Sequence, residues 1–181
     1  MFCRQSVIWM CILFIVVGTM TVANEEAMSL FAQGVKELNA GELDPALETF
    51  EQVMTLAPDF ADAHYHLGLV YYRKAEFRKA IEAFTRTLEL LPRDIDALIK
   101  LGLASHKAGD MDIANSRVRR AFYERAVKAY QTALEIRPHN VEALNNLGLA
   151  HQELGQFADA IAVYEEGLTL SPEQPQLHTN L

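Results

Sequence analysis

Six histidines stand in this chain of 181 residues, and imidazole is a common metal ligand. Their spacing does not build a site. His64 and His66 are two residues apart, which on a helix sends them to different faces, and there is no H-E-x-x-H pair. His64 and His151 fall at packing positions, which makes them core or boundary histidines. Both cysteines, Cys3 and Cys11, lie in the N-terminal apolar run, so a chain cleaved behind that run carries no thiol for a disulfide, a nucleophile or a zinc site. The phosphate-cradling and nucleophile-elbow motifs are missing. Carboxylates such as Glu48, Glu51 and Glu82 alternate with apolar positions and read as solvated faces. No catalytic, cofactor or metal site converges, and the chain is expected not to be an enzyme. Recognition is the chemistry that remains. Lys and Arg number 16 against 24 Asp and Glu, a net charge of −8, which argues against a general nucleic-acid binder because phosphate contacts need a clustered basic face. Within that acidic chain Arg117, Arg119 and Arg120 are a local concentration of positive charge, read either as a solvated helix face or as a contact for an acidic partner.

The first 23 residues differ from the rest. Arg4 supplies one positive charge, Val7 to Val17 is almost unbroken apolar sequence, and Thr21-Val22-Ala23 places small residues before Asn24-Glu25-Glu26. This is the order of a secretory signal peptide, with cleavage after Ala23. The competing reading is an uncleaved membrane anchor, for which Val7 to Val22 is a little short of the ~20 apolar residues a spanning helix needs. Cleavage would remove one cation and leave 15 basic against 24 acidic side chains.

Downstream the chain is periodic. Pro58, Pro92, Pro138 and Pro172 are separated by 34, 46 and 34 residues. Ala46, Ala80, Ala126 and Ala160 repeat those intervals, as do Phe50, Phe84, Tyr130 and Tyr164. Gly34, Gly68, Gly102 and Gly148 give 34, 34 and 46. Inside each period apolar residues recur at three and four, in two runs broken by a short polar turn, which predicts a helix, a turn and a second helix. Proline then stops the outgoing helix, and a following Asp or Asn is placed to cap the next. One helical hairpin cannot bury such a stripe alone; stacked hairpins can. The glycines permit close helix approach, and the rings are expected to fill space between neighbouring units.

The segments "HYHLGLVYY…KAIEAFTRTLELLP" and "ALNNLGLAHQELGQFADAIAVYEEGLTLSP" resemble the tetratricopeptide repeat (TPR) family. The resemblance implies an all-α fold, an α-solenoid of stacked antiparallel helix pairs, with four units over 27–60, 61–94, 95–140 and 141–174. Residues 175–181 read as the start of a fifth repeat or a capping stub.

The third unit carries twelve surplus residues near 110–121, and its second helix opens twice, at Gly109-Asp110-Met111 and at Phe122-Tyr123-Glu124. A surface loop followed by an ordinary helix would reconcile the two openings. So would one long helix from about Met111 to Arg137, and the stripe Met111, Ala114, Val118, Phe122, Ala126, Tyr130 and Ala133 favours that helix. It would turn the last unit by about 120° relative to the first three.

In the family the inner wall of first helices contacts partners. The matching positions are Tyr65, His66, Leu69, Tyr72 and Arg73, then Ile99, Lys100, Leu103, His106 and Lys107, then Asn145, Asn146, Leu149 and Gln152. They suit an extended protein segment with acidic or C-terminal carboxylate groups. The chaperone-tail clamp of some members is not reproduced, since Phe31 and Val35 occupy its first-unit positions. The expected protein is an exported, periplasmic or secreted adaptor that works in assembly of an envelope or secretion complex. The alternatives are a membrane-anchored subunit and the interaction region of a longer enzyme; self-association through the last unit is a further expectation.

Overall fold

The computed structural model describes residues 24–180; the signal-peptide or anchor reading lies outside them. The described residues form nine helices and no strand: α1 (24–40), α2 (Leu43–Leu56), α3 (Ala61–Arg73), α4 (Phe77–Leu90), α5 (Ile95–Met111), α6 (Ser116–Ile136), α7 (Val141–Glu153), α8 (Phe157–Leu170) and α9 (Pro175–Asn180). They pack in adjacent pairs, the α-solenoid organisation expected from the sequence. By contacts the described residues divide into two compact units, the first ending at Val70 and the second beginning at Tyr71.

In the first unit, Ala27, Val53 and Ala63 form a core joined by Leu30, Phe31, Met54 and Phe60. The Phe50 ring lies on Gly34, where an added Cβ would come within 2.8 Å of it. In the second unit the same device recurs, Tyr130 on Gly102 and Tyr164 on Gly148, at still closer approach. Each ring thus closes the hairpin of its own repeat, where the sequence suggested that the rings fill space between repeats. Phe50, Phe84, Tyr130 and Tyr164 are all fully buried, as are Ala46, Ala80 and Ala126.

The helix starts follow from capping chemistry. The Asp94 carboxylate accepts from the Ala97 amide at 2.9 Å, and Asn140 accepts from Ala143 at 2.9 Å, each satisfying an N–H that has no partner within the helix. Three hairpin turns carry a left-handed residue, Gly41 (φ 82°), Ala75 (φ 57°) and Gly155 (φ 73°). Gly109, 34 residues after Ala75, would be expected to do the same but is helical.

The surplus of the third repeat is neither a loop nor one long helix. Relative to α3 and α7, of 13 residues each, α5 has 17; relative to α4 and α8, of 14 each, α6 has 21. The first helix gains four residues, the second seven, and the connecting turn one, which accounts for all twelve. The turn falls at 112–115 because Asn115 caps α6, its side chain accepting from the amides of Arg117 and Val118 at 3.1 Å. The hairpin has grown at its tip. Gly102 and Tyr130 stay paired at its base, and one heptad further out Gly109 and Tyr123 form a second pair of the same kind. With α6 starting at Ser116, the long helix and the 120° offset that depended on it do not arise.

Candidate functional site

In the second unit, first helices of successive repeats touch, α5 with α7 and α7 with α9, which makes them a continuous wall. Equivalent positions on that wall do two different things. Ile99 and its counterpart Asn145, 46 residues on, face the next repeat: Ile99 is 3% exposed in the core with Leu98, Ala126, Tyr130 and Leu147, and Asn145 accepts a hydrogen bond at 3.0 Å from the side chain of Asn180 on α9. His106 and Gln152 behave alike. Gln152 donates to the Asn180 carbonyl at 3.0 Å and accepts from the Tyr164 hydroxyl at 2.9 Å. His106 sits 3.6 Å from the Asp110 carboxylate and edge-on to the Tyr123 ring; burial lowers its pKa against the opposing pull of Asp110, with Lys107 lowering it further and Glu153 raising it. Tyr72, the matching position on α3, packs edge-on against Phe77. Ile99, Asn145 and Gln152 hold adjacent repeats together, and His106 and Tyr72 pack within their own hairpins, so all five side chains are engaged within the protein.

The positions one step round the helix remain on the wall. Lys100, Leu103 and Lys107 on α5 match Asn146, Leu149 and Glu153 on α7, and Arg73 ends α3. Leu103, Asn146 and Leu149 are half-exposed and Lys107 is exposed. Lys107 bonds Asp110 on its own helix at 3.0 Å. Half-exposed Lys100 lies 4.0 Å from exposed Glu142, a distant ion pair of the sort that contributes little to stability. Sequence reasoning missed Glu142, whose charge reaches Lys100 only through the stacking of α7 on α5.

In the first unit His66 belongs to packing. Its ring is perpendicular to Phe31 at 5.0 Å and tilted to Phe50 at 5.7 Å, and its Nδ1 meets the Asp62 carbonyl at 2.8 Å. Tyr65 and Leu69 are half-buried. Three further histidines are structural too: His64 and its repeat-mate His178 bond the carbonyls of Pro58 and Pro172 at 2.7 and 2.6 Å, and buried His151 bonds the Gln156 side chain at 2.8 Å. Among the described residues no group of three or more His, Cys, Asp or Glu comes together as a metal site. Nor, among them, is any helix long and apolar enough to cross a membrane.

Beneath the wall two hydroxyls are buried without a hydrogen-bond partner among the described residues, Ser105 Oγ and Tyr130 Oη. Burial raises the Tyr130 pKa, and the nearby Tyr72 and Glu142 push it the same way. The buried Tyr164 phenol is pushed up to about 12 by desolvation.

Family models decide the assignment: a tetratricopeptide repeat model matches residues 111–175, a TPR repeat model 37–74 and another tetratricopeptide repeat model 61–94. The chain belongs to the tetratricopeptide repeat family. Solved TPR structures share its fold. One MamA structure is 23% identical with a TM-score of 0.72, covering 85% of this chain and 78% of its own. PilF of Pseudomonas aeruginosa is 22% identical with a TM-score of 0.69, covering 87% and 67%. The first TPR domain of Spaghetti (RPAP3), solved bound to the HSP90 peptide SRMEEVD, is 24% identical with a TM-score of 0.63, covering 72% and 94%. No curated relative matches the sequence.

Proposed function

We propose that this TPR chain is a non-enzymatic adaptor whose first-helix wall holds an extended segment of a partner protein. The observation that carries the reading is the uncovered part of that wall. Lys100, only distantly paired with Glu142, stands beside half-exposed Leu103, and Asn146 and Leu149 continue the row on α7. A carboxylate for Lys100, an amide contact for Asn146 and shallow apolar contact for the leucines describe an extended peptide ending in, or rich in, carboxylates. The RPAP3 domain, bound to an acidic peptide, supports the same use of a TPR wall. The order of residues 1–23 supports export, and with it a place in the assembly of an envelope or secretion complex.

The test is a titration with an acidic heptapeptide bearing a free C-terminal carboxylate, followed by amide NMR. Shifts confined to Lys100, Leu103, Asn146 and Leu149, with affinity about tenfold weaker in Lys100→Gln, are expected. Binding unchanged by that substitution would remove the wall from the proposal.

A further inference from the structure

The extended hairpin tip poses a separate question, because the other repeats stack without it. Its twelve surplus residues bring three arginines, and the structure sorts these from the surrounding acids. Asp112 is taken by Arg78 at 2.8 Å, and Asp110 by Lys107 at 3.0 Å and by the Tyr123 hydroxyl at 3.1 Å. Arg120 is paired with Glu124 at 2.9 Å along α6. Arg117 and Arg119 are left: among the described residues neither guanidinium has a hydrogen-bonding or ion-pair partner. Both line a cleft of about 370 Å³ between the start of α6 and the end of α7, with Tyr123 and Leu154 as its apolar parts and Glu153 as its one acidic lining residue. The first amides of α6 are not the attraction, since Asn115 already occupies those of Arg117 and Val118.

We infer that this cleft is a second docking surface, for a short acidic segment of a partner protein. Two unpaired guanidinia offer bidentate geometry to side-chain carboxylates, and half-exposed Leu154 offers apolar surface to the intervening side chain. Glu153 and the net charge of −8 disfavour the longer polyanions, nucleic acid and anionic membrane, whose binding rests on an extended basic field. The surface is distinct from the Lys100 wall, so one partner could engage either or both.

The test uses fluorescein-labelled hexaglutamate with an amidated C-terminus, with hexaglutamine as control, read by anisotropy at low and at physiological salt. Binding of hexaglutamate alone, weakened by added salt and about tenfold by Arg117→Gln with Arg119→Gln, is expected. Lys100→Gln should change it less than about twofold. Because neither arginine side chain has a partner among the described residues, the double variant should keep the parent thermal midpoint, which separates lost contact from lost fold. The proposal is overturned if the double variant binds as the parent does, or if Lys100→Gln abolishes binding. It is overturned equally if single-stranded DNA or phosphatidylserine vesicles bind more tightly than the peptide with the same arginine dependence.

Discussion

Tyr130 and Tyr123 occupy the same kind of place one heptad apart, each ring seated on a glycine of α5, yet their hydroxyls fare differently. Tyr123 donates to Asp110 at 3.1 Å. The Tyr130 hydroxyl is buried with no partner among the described residues, and an unpaired buried hydroxyl carries a desolvation cost of about 1–3 kcal/mol. Removing it while keeping the ring should therefore help. Tyr130→Phe is expected to raise stability by roughly 1 kcal/mol, whereas Tyr123→Phe, which strips a hydrogen bond from Asp110, should lower it by about 1 kcal/mol. Urea denaturation of both variants checks the pair. A loss of stability in Tyr130→Phe would mean that the hydroxyl has a partner in solution. Neither behaviour was legible in the sequence: Phe50, Phe84, Tyr130 and Tyr164 share one repeat position, and what decides a hydroxyl's fate is which group the first helix of its own hairpin presents to it, Asp110 to Tyr123 and Gln152 to Tyr164.

At the scale of helices, most of the architecture was written in the spacing of Gly, Ala, ring and Pro, because each marks a steric or hydrogen-bonding demand that recurs with the hairpin. The third repeat departs from that spacing for the same reason. Its apolar stripe ran on from Met111 without Gly or Pro and so looked like a single helix, but periodicity cannot see the chain reversing where an asparagine cap starts a new helix in nearly the same phase. Asn115 was the available signal. Gly109 misled in the opposite direction, standing at a turn position while serving as the seat of the Tyr123 ring. An added Cβ there would lie 2.6 Å from Tyr123 Cε1, and that ring is 4% exposed. Gly109→Ala should gain up to about 1 kcal/mol of helix propensity and lose about 1–3 kcal/mol to overpacking, a net destabilisation of about 1 kcal/mol. Tyr123→Leu in the same chain should reverse most of it. If Gly109→Ala alone proved stabilising in thermal melts, the second glycine–tyrosine pair of the hairpin would be refuted.

Across the whole molecule, the wall positions were legible as a set but not in their division of labour. The family pattern marks Asn145 with Asn146, and Ile99 with Lys100, as neighbours on one face. Only stacking shows that the first of each pair turns to the next repeat while the second stays on the surface. That division makes the last repeat dependent on six residues. α9 places Leu177, fully buried, against Ala160 and Tyr164, and returns two hydrogen bonds to Asn145 and Gln152 on α7. A helix this short has no stability of its own, so Leu177 must anchor it. In a repeat stack each unit is held by its neighbours, and the effect of Leu177→Ala, about 2–5 kcal/mol at the site, should fade with distance along the second unit. Hydrogen exchange should show lost protection in α9 and α8, a smaller loss in α7, and α5 and α6 close to the parent. Release of α9 would also free the amides of Asn145 and Gln152, so an acidic peptide seated on the wall should perturb α7 more in the variant than in the parent. Uniform loss of protection from α5 to α9 would instead show that the second unit unfolds as one cooperative block, with α9 as part of its core.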